Sequence, residues 1–322
     1  MVERGGLRLV FCGTPQFAVP TLEALRGAGH EIALVVTQPD RPVGRKQVLT
    51  APAVKVAAEA AGLAVTQPEK IRNNLEFRAR LEAIAPDAIV VVAYGRIIPP
   101  WMLALPRLGC INLHGSLLPK YRGAAPIQWA VADGEAVTGN TTMLLEEGLD
   151  TGPILLQERL EIRPEWTAVD VFARLAVEGA PLVVKTLQGL ADGTIEPKEQ
   201  DHAKATLARI LEREDGRMDF AGRTATELWH RWRGFQPWPG AFTTLDGKKL
   251  GVTRMRVAGN AGAGEPGELR VVDGQLLAVC AGGSWLALDE VQPEGKKAMT
   301  AAEFLRGNPL AAAAKLGTAG LG

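Results

Sequence analysis

Short apolar runs alternate with amphipathic stretches over the first two-thirds of the chain. The apolar runs predict strands at residues 7–11, 32–36, 88–93 and 109–113. The run at 88–93 has no polar alternation, which is typical of a parallel strand buried on both faces. The amphipathic stretches predict helices at residues 20–28, 52–62, 68–84, 97–105 and 167–191. Alternating strands and helices indicate an α/β domain, in which helices cover both faces of a parallel sheet.

The loop after the first predicted strand does not have the glycine pattern of a dinucleotide-binding site. Residues 11–16 read Phe-Cys-Gly-Thr-Pro-Gln, with a single glycine. A bound pyrophosphate needs the G-x-G-x-x-G pattern to approach a helix N-terminus closely. We therefore predict a Rossmann-like sheet that does not bind NAD or FAD.

The pattern changes after a polar stretch at about 191–206, which we interpret as a linker. One helix is predicted at 224–234, and short strands follow it. Between these strands stand dipeptides typical of tight hairpin turns, namely Asp246-Gly247, Asp273-Gly274 and Gly282-Gly283. This pattern predicts a small antiparallel β-barrel. The 322 residues thus divide into two predicted domains, 1–202 and 207–322, and we expect the Ala/Gly-rich tail after Gly307 to be mobile.

Composition excludes several protein classes. Hydrophobic residues make up 47% and charged residues 22% of the chain, as in ordinary globular proteins. No apolar run approaches the ~18 residues of a membrane helix, and the N-terminus shows no signal or transit pattern. The three cysteines form no CxxC pair, which favours buried thiols in a reducing compartment. We therefore expect a cytoplasmic protein.

Charge is balanced overall but uneven along the chain. Lys and Arg number 20 against 23 Asp and Glu in residues 1–202, and 16 against 13 in residues 203–322. A basic C-terminal domain that contacts an anionic partner is one interpretation, and ordinary scatter is the other.

The segment 111–123 carries the chemistry. Asn112 and His114 are two residues apart, so a strand places both on one face. An amide and an imidazole N–H at that position would hold an oxyanion. A satisfied core histidine is the plainer alternative. Asp150 lies in a loop between strand-like segments, where its carboxylate would orient a histidine or accept a proton. The four histidines show no metal-ligand spacing, so no metal is expected.

The pattern N-x-H-x-S-L-L-P-x-x-R-G at 112–123, followed by L-D-T-G at 149–152, resembles the 10-formyltetrahydrofolate-dependent formyltransferases. The resemblance covers about residues 7–307. Within that family, the loop at 38–45, the Ala93-Tyr94-Gly95 step and the segment 233–241 resemble the branch that formylates methionyl-tRNA. The resemblance implies transfer of a formyl group from 10-formyltetrahydrofolate to the methionine α-amino group of initiator methionyl-tRNA.

The resemblance also implies roles for particular residues. The catalytic residues would be Asn112, His114 and Asp150. The folate contact would be Ser116, Leu117, Leu118 and Pro119, which leaves Ser116 no role as a nucleophile.

The tRNA contact would be the loop residues Arg41, Arg45 and Lys46, although fewer lysines follow Arg45 than is usual in the family. The C-terminal domain would be OB-like and support the tRNA on a basic face. We expect Trp229, Trp232 and Trp238 to pack in the core rather than to stack on bases.

Three alternatives stay open. An enzyme that formylates glycinamide ribonucleotide would resemble only the first domain, so residues 203–307 argue against it. An enzyme that formylates an amino sugar nucleotide also has a second domain, so the basic loop at 41–46 discriminates. A non-catalytic RNA-binding module would not need Asn112, His114 and Asp150 together. We expect a monomer.

Overall fold

The computed structural model describes residues 6–44, 47–259, 262–311 and 314–317. The chain divides into two compact units. The first unit comprises Met1–Pro126, Val137–Glu161 and Asp170–Arg209, and the second comprises Ile127–Ala136, Ile162–Val169 and Ile210–Gly322. The predicted domains are continuous stretches, whereas the second unit also takes in two segments from the first half of the chain. The predicted functional division at 202/207 stays a prediction.

The strands of the first unit are β1 (Arg8–Gly13), β2 (Glu31–Val36), β3 (Arg41–Val43), β4 (Val48–Thr50), β5 (Val65–Thr66), β6 (Ala88–Val92), β7 (Cys110–His114), β8 (Arg122–Gly123), β9 (Val137–Leu144), β10 (Ile154–Glu161) and β11 (Leu207–Ala208). The helices up to residue 192 are α1 (Val19–Gly27), α2 (Ala53–Ala60), α3 (Leu75–Ile84), α4 (Pro100–Leu103), α5 (Pro126–Ala132) and α6 (Ala168–Asp192).

The main sheet confirms the predicted parallel α/β architecture. Its seven strands lie in the order β10-β9-β7-β6-β1-β2-β5. The five strands from β7 to β5 are parallel, and β9 runs antiparallel to both its neighbours. The central strand β6 is buried at every position, as its unbroken apolar run predicts. The carboxyl ends of β6 and β7 meet at one edge of this sheet, which is where ligands bind in open α/β sheets.

Two predicted helices are shorter than their apolar spacing indicates. The helix predicted at 68–84 begins at Leu75, because the Asn74 side chain caps it by accepting a hydrogen bond from Phe77 N at 2.9 Å. The helix predicted at 97–105 is a single turn, α4. The segment 38–45, which is predicted to be a loop, contains β3, the first strand of a small exposed hairpin formed with β4.

The strands of the second unit are β12 (Phe242–Leu245), β13 (Lys248–Ala258), β14 (Leu269–Val272), β15 (Gln275–Val279), β16 (Trp285–Pro293) and β17 (Met299–Thr300). Its remaining helices are α7 (Ala225–Gly234) and α8 (Ala301–Gly307). The strands form an antiparallel half-barrel in the order β12-β13-β16-β15-β14, with β17 on β16. Asp246-Gly247 and Asp273-Gly274 both have positive φ and close hairpins, as predicted.

The tail does not behave as predicted at residues 314–317. Lys315 bridges to Glu268 beside β14, and Leu316 bridges to Leu245 at the end of β12. This short stretch therefore links the two edges of the half-barrel. Leu316 is also buried in the core of the unit, and this burial supplies the free energy that holds the stretch in place.

Helix α7 packs tightly on the two early segments that belong to the second unit. A Cβ on Gly234 would lie 2.5 Å from Ala132 N and 2.6 Å from Gln128 O, so only glycine fits there. The buried Arg233 donates hydrogen bonds to the carbonyls of Arg163, Pro164 and Trp166. These contacts explain why residues 127–136 and 162–169 fold with the second unit.

The predicted core packing of the tryptophans holds for two of three. Trp229 and Trp232 pack against the core of the second unit. Trp238 is 54% exposed, because it lies in the proline-rich loop that follows α7 rather than on the helix face. The expectation for Trp238 was therefore wrong.

Candidate active site

Strand β7 presents Asn112 and His114 on one face, as the spacing predicts. Asn112 pairs with Val91 on one side and Met143 on the other, and His114 pairs with Thr141. His114 is 5% exposed. The side-chain amide of Asn112 makes no hydrogen bond to any part of the chain that the structure describes, so its donors are available for a ligand.

The two ring nitrogens of His114 have different neighbours. Nε2 lies 2.9 Å from the carbonyl oxygen of Tyr121. A carbonyl only accepts, so Nε2 carries the hydrogen in this contact. Nδ1 faces the Asp150 carboxylate, with 3.6 Å between Nδ1 and Oδ2. That separation is longer than a hydrogen bond, so no hydrogen bond joins the two groups in this arrangement. The backbone of Tyr121, which the sequence did not indicate, therefore fixes the ring.

The loop between β9 and β10 brings Asp150 to His114. Asp150 has φ of +50°, an uncommon conformation for a residue with a side chain. Its Oδ2 accepts a hydrogen bond from Gly123 N at 2.8 Å. A Cβ on Gly123 would lie 2.6 Å from Ala208 O, so glycine is required there. The R-G and L-D-T-G parts of the sequence pattern thus meet at one carboxylate.

The segment 116–119 follows β7, and hydrogen bonds from buried side chains hold its backbone. Ser116 is fully buried and its Oγ donates to Lys120 O at 2.7 Å. Thr141 Oγ1 donates to Ser116 O at 2.6 Å, and Gln157 Nε2 donates to Leu118 O at 2.9 Å. Leu117 and Pro119 keep part of their surface exposed. The Ser116 hydroxyl therefore supports the loop, and folate contact by Ser116, Leu117, Leu118 and Pro119 stays a prediction.

Two buried side chains behind Asp150 were missed by sequence reasoning. Arg122 donates to Gln200 Oε1, and Gln200 Nε2 donates to the carbonyls of Asp150 and Gly152. Arg122 stands in the quoted pattern, so its position was a signal. Gln200 lies in the stretch predicted to be a linker. That stretch is instead tied to the first unit, because Lys198 bridges to Ile154 and β11 pairs with β8.

Comparison with known proteins identifies the family. A family model described as formyl transferase matches residues 7–187, and a second, described as formyl transferase C-terminal domain, matches residues 210–309. The chain belongs to the formyl transferase family. The predicted family resemblance is thereby confirmed.

Two curated relatives match over nearly the whole chain, and both are called methionyl-tRNA formyltransferase. The protein from Acidobacterium capsulatum is 65% identical, over 97% of this chain and 100% of its own length. The protein from Koribacter versatilis is 57% identical, over 96% of this chain and 98% of its own length.

A solved formyltransferase shares the fold. The crystal structure of an N-formyltransferase from Helicobacter canadensis, in complex with folinic acid and dTDP-3-aminofucose, has a TM-score of 0.65 to this chain. It covers 89% of this chain and 99% of the other, at 18% sequence identity. At that identity the likeness concerns the fold alone.

Of the residues predicted to contact tRNA in this formyl transferase, the structure describes Arg41. Arg41 begins β3, is exposed, and lies 3.6 Å from Glu69 between Nη2 and Oε2. Arg45 and Lys46 lie outside the described residues. The hairpin also exposes Val48 and Leu49. Its tRNA contact stays a prediction.

The three cysteines are buried and free, as predicted. Burial raises the pKa of the Cys110 and Cys280 thiols to about 12 and that of Cys12 well above its ordinary value. Thiols in this state stay protonated at neutral pH and make no thiolate nucleophile.

The part of the chain that the structure describes contains neither a metal-binding cluster nor a membrane-spanning helix. No group of three or more His, Cys, Asp or Glu in that part is placed to hold a metal ion. Within the same residues, every helix is too short or too polar to cross a membrane.

Proposed function

We propose that the protein transfers the formyl group of 10-formyltetrahydrofolate to the α-amino group of methionine on initiator methionyl-tRNA. The observation that carries this proposal is identity of 65% and 57%, over almost the whole chain, to proteins called methionyl-tRNA formyltransferase. The identity extends through the second unit, which an enzyme of the first unit alone would not need. The product would be N-formylmethionyl-tRNA for translation initiation.

The proposed chemistry begins with a neutral amine. A free α-amino group has a pKa of about 7.7–8.0, and esterification of the neighbouring carboxyl to tRNA lowers it, so a neutral fraction is present near pH 7. Attack of its lone pair on the formyl carbon forms the new C–N bond and places negative charge on the formyl oxygen. Collapse of this tetrahedral species breaks the bond to the folate nitrogen, which leaves as a neutral amine by taking up the proton that the attacking nitrogen loses.

Asn112 and His114 would hold the developing negative charge. The Asn112 amide has no other partner among the described residues, and it shares a strand face with His114. Because Nε2–H of His114 is engaged by Tyr121 O, the donor to the oxyanion would be Nδ1–H, with both ring nitrogens carrying hydrogen. A preorganised donor of this kind contributes about 2.7–4 kcal/mol to transition-state stabilisation.

Asp150 would accept the proton that the attacking nitrogen loses. Its carboxylate is 3.6 Å from His114 Nδ1, so it lies beside the reacting centre as well as beside the imidazole. Gly123 N–H holds Oδ2 in place. The sequence assigned Asp150 both to orient His114 and to help this proton leave, and Tyr121 O also holds the ring.

The co-substrate would lie against the segment 116–119. Leu117 and Pro119 expose apolar surface there, and Asn112, whose donors are free, lies a few residues earlier on β7. This combination suits a flat ring system that carries a polar formyl group. No metal is needed, since Asn112 and His114 supply the positive field.

The experiment that tests the function is transfer of labelled formyl groups. The protein is mixed with 10-formyltetrahydrofolate labelled in the formyl carbon and with initiator methionyl-tRNA, elongator methionyl-tRNA, glycinamide ribonucleotide or an amino sugar nucleotide. We expect rapid formylation of the initiator tRNA alone. Preferred transfer to either small acceptor would overturn the assignment, and equal rates on both tRNAs would remove the initiator specificity.

We also propose a cytoplasmic monomer. Charged initiator tRNA and reduced folate are both cytoplasmic, and the three free thiols suit a reducing compartment. One chain carries all the proposed catalytic groups.

A further inference from the structure

Arg122 is a buried cation without a carboxylate partner. It is 6% exposed, and no Asp or Glu oxygen among the described residues lies within 4.0 Å of its guanidinium. Nε and Nη2 donate to one acceptor, Gln200 Oε1, at 3.1 and 2.7 Å. Nη2 also lies 3.0 Å from His202 Nδ1. A buried charge that is satisfied only by neutral groups is costly to fold, so its retention calls for an explanation.

Gln200 carries that contact to the turn that holds Asp150. It is 5% exposed, and its Nε2 donates to Asp150 O at 2.9 Å and to Gly152 O at 2.7 Å. One amide group thus spans both sides of Thr151. A Cβ on Gly152 would lie 2.0 Å from Leu144 O, so the turn is closely packed on its other side too.

We infer that Arg122 and Gln200 are positioning residues that hold Asp150 in its left-handed conformation and direct its carboxylate to His114. The inference rests on the proposed function of Asp150. Arg122 holds the Gln200 side chain, and Gln200 in turn holds the carbonyls of Asp150 and Gly152. The backbone fixed in this way directs the Asp150 side chain towards His114. The guanidinium also polarises the Gln200 amide, which strengthens its two N–H donors.

The residue after Arg122 holds the same aspartate from the opposite direction. Gly123 N donates to Asp150 Oδ2 at 2.8 Å, while the Arg122 side chain acts through Gln200 on the Asp150 backbone. Both depend on the pairing of β8 with β11. The R-G step of the sequence pattern is therefore a two-sided clamp on one carboxylate.

The geometry requires arginine rather than any cation. A planar guanidinium directs two N–H groups in fixed directions, whereas a lysine ammonium is a point charge on a flexible stem. Arg122→Lys would keep the positive charge and lose the pair of N–H donors that bind Gln200 Oε1. We expect this variant to lower kcat with little change in either KM.

The decisive variant is Gln200→Glu. A carboxylate keeps the contact with Arg122, as a buried ion pair, but places an oxygen against the Asp150 and Gly152 carbonyls and so releases the turn. We expect an unchanged Tm, a kcat lowered by about 10- to 100-fold, as for a misplacement on the order of 1 Å, and KM values for folate and tRNA within twofold of wild type. Gln188→Glu, an exposed amide-to-carboxylate change on α6, is the matched control and should match wild type.

Crystal structures of the wild-type protein and of Gln200→Glu give a readout that does not depend on turnover. We expect the Asp150 carboxylate to move away from His114 in the variant. The inference is overturned if folded Gln200→Glu keeps a kcat within twofold of wild type, or if the carboxylate stays in place. Should the wild-type protein transfer no formyl group to any tRNA, the proposed function fails, and the clamp is then judged by the crystal structures alone.

Discussion

At the scale of single residues, the contacts of His114 decide what chemistry the imidazole can do. The sequence places His114 two residues after Asn112 on the same strand. That spacing does not distinguish the two ring nitrogens. The structure does, because Nε2 is engaged by Tyr121 O and Nδ1 faces Asp150. Nδ1 is therefore the ring nitrogen that remains for a substrate oxygen, and it donates when both ring nitrogens carry hydrogen.

Replacement of His114 tests that assignment. We expect His114→Ala to lower kcat by about 10²–10³-fold, because one oxyanion donor is lost, while tRNA binding stays nearly unchanged. Single-turnover formylation and a filter-binding assay measure the two effects. His30→Gln is the control, since His30 only accepts from Leu7 N at the far end of the sheet. Near-normal turnover in His114→Ala would remove the residue from the mechanism.

At the scale of elements, the β3–β4 hairpin shows what pattern reasoning missed. Pro39, Pro42 and Gly44 argue against a helix, and the sequence therefore predicted a projecting loop. The structure pairs Arg41 with Thr50 and Val43 with Val48, so the projection is a two-stranded ribbon with all six strand residues exposed. An isolated two-stranded ribbon is only marginally stable in water.

Arg41 is the described residue of this hairpin on which the tRNA prediction can be tested. We expect Arg41→Ala to lower kcat/KM for initiator tRNA and to reduce the salt dependence of tRNA binding by one phosphate contact, about 0.7–0.9 in the log–log slope. The ion pair with Glu69 is exposed, so its loss costs little stability. Binding titrations from low to high salt measure the slope, with Arg26→Ala on α1 as the control. An unchanged slope would contradict tRNA contact by Arg41.

Helix α7 is the element whose packing is most demanding. Its last residue, Gly234, meets the backbone of residues 127–136 so closely that an added methyl group must displace it. Gly234 lies in the segment 233–241, which carries part of the family resemblance. The structure gives the Arg-Gly step a packing reason.

A pair of glycine substitutions tests this packing. We expect Gly234→Ala to lower the free energy of unfolding of the second unit by about 1–3 kcal/mol through overpacking. Gly307→Ala, at the end of α8 where nothing lies within 4 Å of the new methyl group, should be neutral or slightly stabilising. Urea unfolding of both variants measures the difference. Equal stability of the two would mean that the contact with Ala132 and Gln128 relaxes freely.

At the scale of the whole molecule, each unit contains buried ionisable groups that make folding depend on pH. Burial, and then the charge of Arg233, lower the pKa of His230, whose Nδ1 lies 2.9 Å from Arg233 Nη2. Burial also lowers the pKa of His30 in the first unit. The unfolded chain therefore binds protons before the folded one, and stability is lost as pH falls from about 6.5 towards the lowered pKa values.

Replacement of one histidine tests this linkage. We expect wild-type protein to be less stable at pH 5.5 than at pH 7.5, and His230→Gln to lose less over the same range, because glutamine still accepts from Arg233 and does not titrate. Urea unfolding at the two pH values measures this. The lowered pKa values of Asp87, Glu227 and Glu303 act only below about 4.5, outside this window. Parallel losses in the two proteins would contradict the account.

Periodicity and turn chemistry determined much of this protein. Because β6 is an unbroken apolar run and the Asp-Gly steps require positive φ, the parallel sheet and the hairpins followed from local physics alone. The family pattern also pointed to Asn112, His114 and Asp150, and the structure brings His114 and Asp150 together. Such features depend on residues close in sequence, or on a pattern that the chain shares with its family.

Only the tertiary structure decided the rest. Gln200 is 50 residues from the Asp150 carbonyl that it binds, and Tyr121 acts on His114 through a backbone oxygen that any residue would supply. The assembly of the second unit from three separate segments likewise depends on close backbone contacts at Gly234. Long-range hydrogen bonds and close steric contacts of this kind leave no mark in the periodicity or composition of the sequence. They can be identified only in the folded chain.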